Sequence, residues 1–175
     1  MSAPLRIIDA AMAIVREQGV ARLTLDAAAR RAGLSKGGVL YHFRTKDDLI
    51  RGMVAALIER VDDLNRHYYA AEPDGPYRWA RAVVRTTFDP DGPAGDRIGS
   101  ALVAAIAVNA ALVAPLQAKF EEWLARIRSD SPDPLRAAIV CMAMDGYYFE
   151  TMMGLVPFAP AELARIERAA LDLLS

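Results

Sequence analysis

The sequence predicts an all-α fold of about nine helices. Three observations carry that expectation. Apolar residues recur at spacings of three and four through nearly every segment, the period of one helix face. No stretch alternates apolar and polar residues over a useful strand length, and no internal repeat is visible. Clusters of Pro, Gly, Asp and Ser interrupt the chain at intervals that suit helices.

The elements follow in order. Leu5, Ile8, Met12 and Val15 form the stripe of an amphipathic first helix, with Pro4 fit for its first turn and Gly19 for its end. Thr24 is a good N-cap for a second helix over residues 25–32, where Asp26 faces the positive helix end and Gly33 stops the run. Ser35 can cap a short third helix to about Tyr41. A fourth is expected from near Thr45, with Asp47 and Asp48 in its first turn. Leu49, Met53, Ala56 and Leu57 continue its apolar face toward Tyr69. Residues 72–76 form a break, and a helix from Tyr77 to about Phe88 follows. Residues 89–95 are the strongest loop signal in the chain. Two alanine-rich helices come next, both expected to be buried, split near 109–115, the second ending near Arg128. Residues 131–134 open a long helix to about Gly154. Pro157 and Pro160 punctuate, and a last helix is expected over 161–174.

Composition narrows the class. The chain has 175 residues, 54% apolar and 25% charged, which excludes a disordered polyelectrolyte. Its 11 Gly and 10 Pro lack any period, which excludes a collagen-like chain. The one cysteine, Cys141, cannot form an internal disulfide and points to a reducing compartment. The N-terminal residues lack the unbroken apolar run of a secretory signal, so a cytoplasmic location is expected. Residues 98–118 carry no charge over 21 positions, long enough to span a bilayer. They are alanine-rich and include Asn109, Pro115 and Gln117, so they read as two helices, and no membrane partner is expected. Charge is unevenly spread: residues 1–52 hold 9 Lys+Arg against 5 Asp+Glu, the remainder 12 against 17. A basic N-terminal third suits a polyanion-binding end.

The most informative stretch is residues 23–49. Two short helices are joined by Ala32-Gly33-Leu34-Ser35, a helix-turn-helix arrangement in which glycine permits the sharp turn and Leu34 is expected to plug the corner. The second of these helices must protrude into a major groove about 12 Å wide. At about six residues it is roughly 9 Å long. It opens with Lys36-Gly37-Gly38, small and basic, and the exposed amides at a helix start favour phosphate oxygens.

This stretch, from Leu23-Thr24 through Gly33-Leu34-Ser35-Lys36-Gly37-Gly38-Val39-Leu40-Tyr41-His42-Phe43-Arg44-Thr45-Lys46 to Leu49, resembles the DNA-binding domain of the TetR family of transcriptional regulators. The resemblance covers residues from about 5 to 50 and rests on many positions at fixed spacing. It implies a helix-turn-helix DNA-binding domain over residues 1–50 and a helical ligand-binding and dimerisation domain over 51–175. It also implies a homodimer on double-stranded operator DNA with an inverted repeat. Thr24 would contact phosphate from the start of the second helix. Ser35, Lys36, Gly37 and Gly38 would lie at the base-reading end of the third. Tyr41 and His42 would sit against the sugar-phosphate backbone, and Lys46 would contact phosphate from the start of the fourth. Phe43 and Leu49 match core positions. One position departs: the family commonly has an aromatic residue where this chain has Leu40, so that phosphate-directed hydroxyl is either missing or supplied by Tyr41. On the residues alone, Thr24 also serves as an N-cap, Tyr41 could act in packing, and Arg30 and Arg31 could be solvated charge.

Residues 53–175 hold no nameable motif. The candidate ligand-binding residues are Trp79, Phe88, Asp145, Tyr148 and Met152, for a small apolar or amphipathic effector. On the long helix, Cys141, Asp145, Tyr148 and Met152 share one stripe, and Met142, Gly146, Phe149 and Met153 share the next. One stripe is expected to face a pocket and the other a partner subunit, in an order left open. Asp145 and Glu150 are acids on an otherwise apolar helix, suited to a buried Arg or a ligand. The resemblance also implies that Leu163, Ile166, Ala170, Leu171 and Leu174 of the last helix pair with the long helix across a two-fold axis. No catalytic triad, zinc spacing or phosphate-cradling loop is present, so no enzyme activity, cofactor or metal site is expected. The function expected is a regulator, a repressor relieved by a small molecule. The alternatives are a helical DNA-binding or scaffold protein without a ligand, or a family member acting as activator.

Overall fold

The computed structural model describes residues 1–90, 92, 97–155 and 158–175, with the side chain of Arg97 left aside. Most of the expected loop at 89–95, and Pro157, lie outside the described residues. Those residues form nine α-helices and no strand: α1 (Ala3–Gln18), α2 (Leu25–Ala32), α3 (Lys36–His42), α4 (Lys46–Ala71), α5 (Arg78–Thr87), α6 (Arg97–Val108), α7 (Ala114–Asp130), α8 (Pro134–Met152) and α9 (Pro160–Asp172). Short 3₁₀ turns occupy Val20–Arg22 and Ala110–Val113. None of the described helices is long and apolar enough to cross a membrane. The chain divides into two compact units, residues 1–58 with 97–117, and residues 59–96 with 118–175.

In the first unit, local signals act where expected. The Thr24 hydroxyl accepts the Ala27 N–H at 3.0 Å, capping α2. Gly33 ends that helix at φ +66°, and the Leu34 N–H closes back on the Ala29 carbonyl at 3.0 Å. Arg6 donates 2.7 Å to the Ala32 carbonyl, so α1 satisfies one of the acceptors that the end of α2 leaves open. Ile7, Ala11, Leu23, Ala28, Val39, Leu49 and Met53 are fully buried and form the shared core of α1 to α4. Gly52 is required by close packing, since a Cβ there would stand 2.9 Å from the Phe43 ring. Leu34 is only half-buried, so the corner is closed mainly by the deeper residues.

The alanine-rich segment divides as expected, with Asn109 capping the intervening 3₁₀ turn. Its burial departs from expectation. α6 packs on α1, and its Ile98 and Leu102 are buried, but Val108 is exposed, and α7 buries only Ile127. Alanine makes a smooth helix surface without forcing burial. The Asn109 amide donates 2.8 Å to Asp47, tying this segment to the start of α4.

The second unit is built around Trp79, Ala80, Val84, Ala137, Val140, Met144, Ala170 and Leu174. Tyr77 adopts φ +59° just before α5 and donates its N–H to the Asp130 carbonyl at 3.1 Å. Asp130 also accepts the Trp79 N–H at 2.6 Å, so the end of α7 caps α5. The Asp133 carboxylate accepts the N–H groups of Leu135 and Arg136 at the start of α8. Ala170, Leu171 and Leu174 pack into this chain's own core against α5, and Leu163 and Ile166 are half-buried. Part of the apolar stripe of α9 thus packs into the interior of this chain.

Candidate nucleic-acid interface and effector core

α3 is a short helix with a sharply divided surface. Val39 is fully buried and anchors it; Lys36, Gly37, Leu40 and Tyr41 are exposed. The Ser35 hydroxyl accepts the Gly38 N–H at 3.1 Å, so this residue, expected at the base-reading end, acts as the helix cap. Tyr41 is 84% exposed and meets the His42 ring edge-on at 4.9 Å. Thr45 and Asp48 exchange hydrogen bonds of 3.0 and 3.1 Å, a reciprocal cap for α4. Those bonds to Thr45, with Arg51 at 2.9 Å, hold the Asp48 carboxyl below its ordinary range.

Several basic residues of this unit are already engaged. Lys36 pairs with Asp26 at 3.1 Å. Lys46 donates 2.9 Å to the Val20 carbonyl, bridging α4 to the turn before α2. Arg31 forms a two-pronged pair with Glu17 at 2.5 and 2.6 Å, which lowers the Glu17 pKa and raises that of Arg31. The structure thus brings Thr24, Ser35, Lys36, Gly37, Gly38, Tyr41, His42 and Lys46 into one compact unit. It assigns Thr24 and Ser35 to capping and gives both lysines internal partners.

In the second unit, Trp79 is fully buried, flanked by the Tyr69 ring at 5.7 Å and the Arg126 guanidinium at 4.6 Å. Phe88 packs on the same core and meets Tyr147 at 5.0 Å. Tyr148 and Met152 are half-buried farther along α8, whereas Glu150 is exposed. Asp145 keeps solvent access, yet desolvation by its surroundings pushes its carboxyl up to about 6. Of the five expected effector residues, only Trp79 and Phe88 share the buried cluster. Burial, with Asp145 and Asp130 nearby, pushes the Cys141 thiol up to about 12, which leaves it an unreactive core residue. Among the described residues, Asn65 Oδ1, Trp79 Nε1 and Thr86 Oγ1 are buried without hydrogen-bond partners.

Leu135, Ile139, Met142 and Phe149 of α8, and Met153 just past its end, are exposed, whereas Ala137, Val140, Cys141 and Met144 are buried. Of the two stripes read from the sequence, the one through Met142, Gly146, Phe149 and Met153 faces outward.

Two family models match the chain. Residues 7–53 fit the description "Bacterial regulatory proteins, tetR family", and residues 77–175 fit "Tetracyclin repressor-like, C-terminal domain". The chain belongs to the TetR family.

Among relatives of this TetR-family regulator is the HTH-type transcriptional regulator BetI of Burkholderia thailandensis, 32% identical over 84 residues. That match covers 48% of this chain and 43% of BetI, so it spans less than half the relative's length. A transcriptional regulator from Rhodococcus sp. Rha1 shares the fold at a TM-score of 0.69, with 23% identity over 99% of this chain and 96% of its own. The multidrug binding protein EbrR complexed with ethidium matches at a TM-score of 0.69 and 25% identity, covering 99% of each chain.

Sequence reasoning missed two ionic clusters in the second unit. Asp62, almost fully buried, accepts Trp123 Nε1 at 2.7 Å and Lys119 at 3.4 Å, and also pairs with Arg66. Glu72, also buried, accepts Arg81 at 2.9 Å and Arg85 at 3.0 Å; Arg85 continues to Glu167 of α9 at 3.1 Å. Nothing in the local sequence distinguishes these acids from solvated ones.

Proposed function

We propose that this TetR-family regulator is a homodimeric repressor that binds an inverted repeat in double-stranded operator DNA and leaves it when a small effector binds. The observation that carries the reading is the exposed face of α3, which presents Lys36, Gly37 and Tyr41 while buried Val39 fixes the helix beneath them. Such a helix can enter a major groove, and phosphate contacts from neighbouring groups set its register. Lys46 and Tyr41 are the phosphate-directed groups, and Lys36 is the donor for guanine O6 and N7. Engaging DNA requires Lys36 to exchange Asp26, and Lys46 to exchange the Val20 carbonyl, for nucleic-acid acceptors.

The exposed apolar stripe of α8 supports pairing with a second copy. Such stripes are rarely left open to water. The three unpartnered buried polar atoms and the Trp79–Phe88 core support an effector site in the second unit, because buried polar groups are normally hydrogen-bonded. The multidrug binding protein EbrR holds ethidium in its crystal structure, which supports an apolar or amphipathic effector here. Effector binding would favour a state whose heads are wrongly spaced for half-sites one or more helical turns apart.

The test begins with duplexes selected from a random library by the full-length protein. Lys36→Ala and Lys46→Ala should weaken binding to a selected duplex while sedimentation still shows a dimer. Tetraphenylphosphonium, a lipophilic cation, should raise the melting temperature and release the duplex. Parental affinity in both lysine variants would overturn the DNA reading, and a monomer in sedimentation would overturn the dimer.

A further inference from the structure

Leu40 is an apolar side chain on the outward face of the one helix that must read bases. It keeps 38% of its surface exposed, although Val39 beside it is fully buried. Residues three and four apart share a helix face, so Leu40 stands one turn beyond Lys36 and Gly37. Apart from Tyr41, whose hydroxyl is directed at phosphate in the reading above, that face offers little other chemistry. Gly37 has no side chain, and the Ser35 hydroxyl is committed to the Gly38 N–H at 3.1 Å. Lys36 supplies charge, and Leu40 supplies apolar surface.

In the major groove, the apolar feature of the base edges is the thymine C5-methyl group. A branched aliphatic side chain has no hydrogen bond to give there, so a methyl is the partner it fits. We propose that Leu40 is a specificity-determining residue that packs on a thymine methyl in each half-site. The thymine lies within about one or two base pairs of the base met by Lys36, because one helical turn is about 5.4 Å and a base step about 3.4 Å. This assignment rests on the DNA-binding reading above.

The experiment uses the full-length protein and duplexes it selects from a random library. Each thymine of a selected duplex is replaced in turn by deoxyuridine, which lacks only the methyl. At one position per half-site the parent protein should lose about fourfold in affinity, the size expected for one buried methyl. Leu40→Ala should bind the thymine and uracil duplexes equally, while retaining the base preference at the Lys36 position. Leu40→Gln should select a different base at the same place, since glutamine suits adenine N6 and N7. Both substitutions fall on an exposed position, and unchanged thermal melts will show that folding is intact. Indifference of the parent to uracil at every position would overturn the proposal. So would an undiminished uracil penalty in Leu40→Ala. Failure of the parent to select any duplex is a separate result, which removes the DNA-binding reading itself.

Discussion

The ammonium of Lys36 lies 3.1 Å from the Asp26 carboxylate, within the surface proposed to meet DNA. Both groups are exposed, so the pair contributes little to stability. Its consequence is for binding. Lys36→Ala should weaken the complex about tenfold. Asp26→Asn should tighten it a few-fold, chiefly below about 0.1 M salt, where charges about 10 Å apart still interact. Fluorescence anisotropy at two salt concentrations checks both. Equal weakening by the two variants would show that Asp26 positions the lysine and does not compete for it.

Lys46 has a double role, because its Nζ donates 2.9 Å to the Val20 carbonyl. Lys46→Ala should therefore lower stability by about 1 kcal/mol as well as weaken DNA binding. Urea unfolding separates the two effects. A variant with parental stability would mean that this bond is replaced by water at no cost.

Gly33 sits at φ +66°, and a Cβ there would have Arg6 Nη2 at an ordinary 3.6 Å. The cost of Gly33→Ala is thus a backbone cost, about 1–2 kcal/mol. The expected readout is a lower urea midpoint at an unchanged slope.

Glu72 gives the second unit a dependence on acid. Burial alone would raise its pKa, but hydrogen bonds from Arg81 and Arg85 outweigh burial and hold it below the ordinary 4.5. A depressed carboxyl contributes stability that is fully present above its unfolded pKa and is lost as pH falls through the folded one. Melting temperature should therefore drop as pH falls from about 4.5. Glu72→Gln should be less stable than the parent at pH 7, with the difference shrinking in that acid window. A difference that stays constant with pH would contradict this ion-pair role.

Asp145 has the opposite sign, since desolvation pushes its carboxyl up to about 6. Its charge costs stability that is absent below the ordinary value of 3.8, grows between there and about 6, and is complete above. Asp145→Asn should raise the melting temperature at pH 7.5 and have little effect near pH 3.5. A uniform shift at both pH values would argue against a titrating origin.

The head was readable because its signals are local. Thr24 and Ser35 are caps within three residues of the N–H groups they bind, and Gly33 supplies a left-handed turn that other residues resist. These interactions are written into neighbouring positions, and the periodicity of the flanking helices is as local as they are. The effector core was less legible. Its five expected residues were chosen by residue type and helical spacing, and only Trp79 and Phe88 joined one buried cluster.

The amino-acid order alone thus determined helix number, the turn at residues 32–35 and the cap that opens α3. Tertiary packing decided the rest: that α6 lies on α1, that α9 buries Ala170 and Leu174 in this chain's own core, and that the Met142–Phe149 side of α8 is exposed. It also placed Asp62 against Trp123 and Glu72 between two arginines. A helix pattern specifies which residues share a side, but the neighbour that covers that side comes from distant sequence, and burial follows the neighbour.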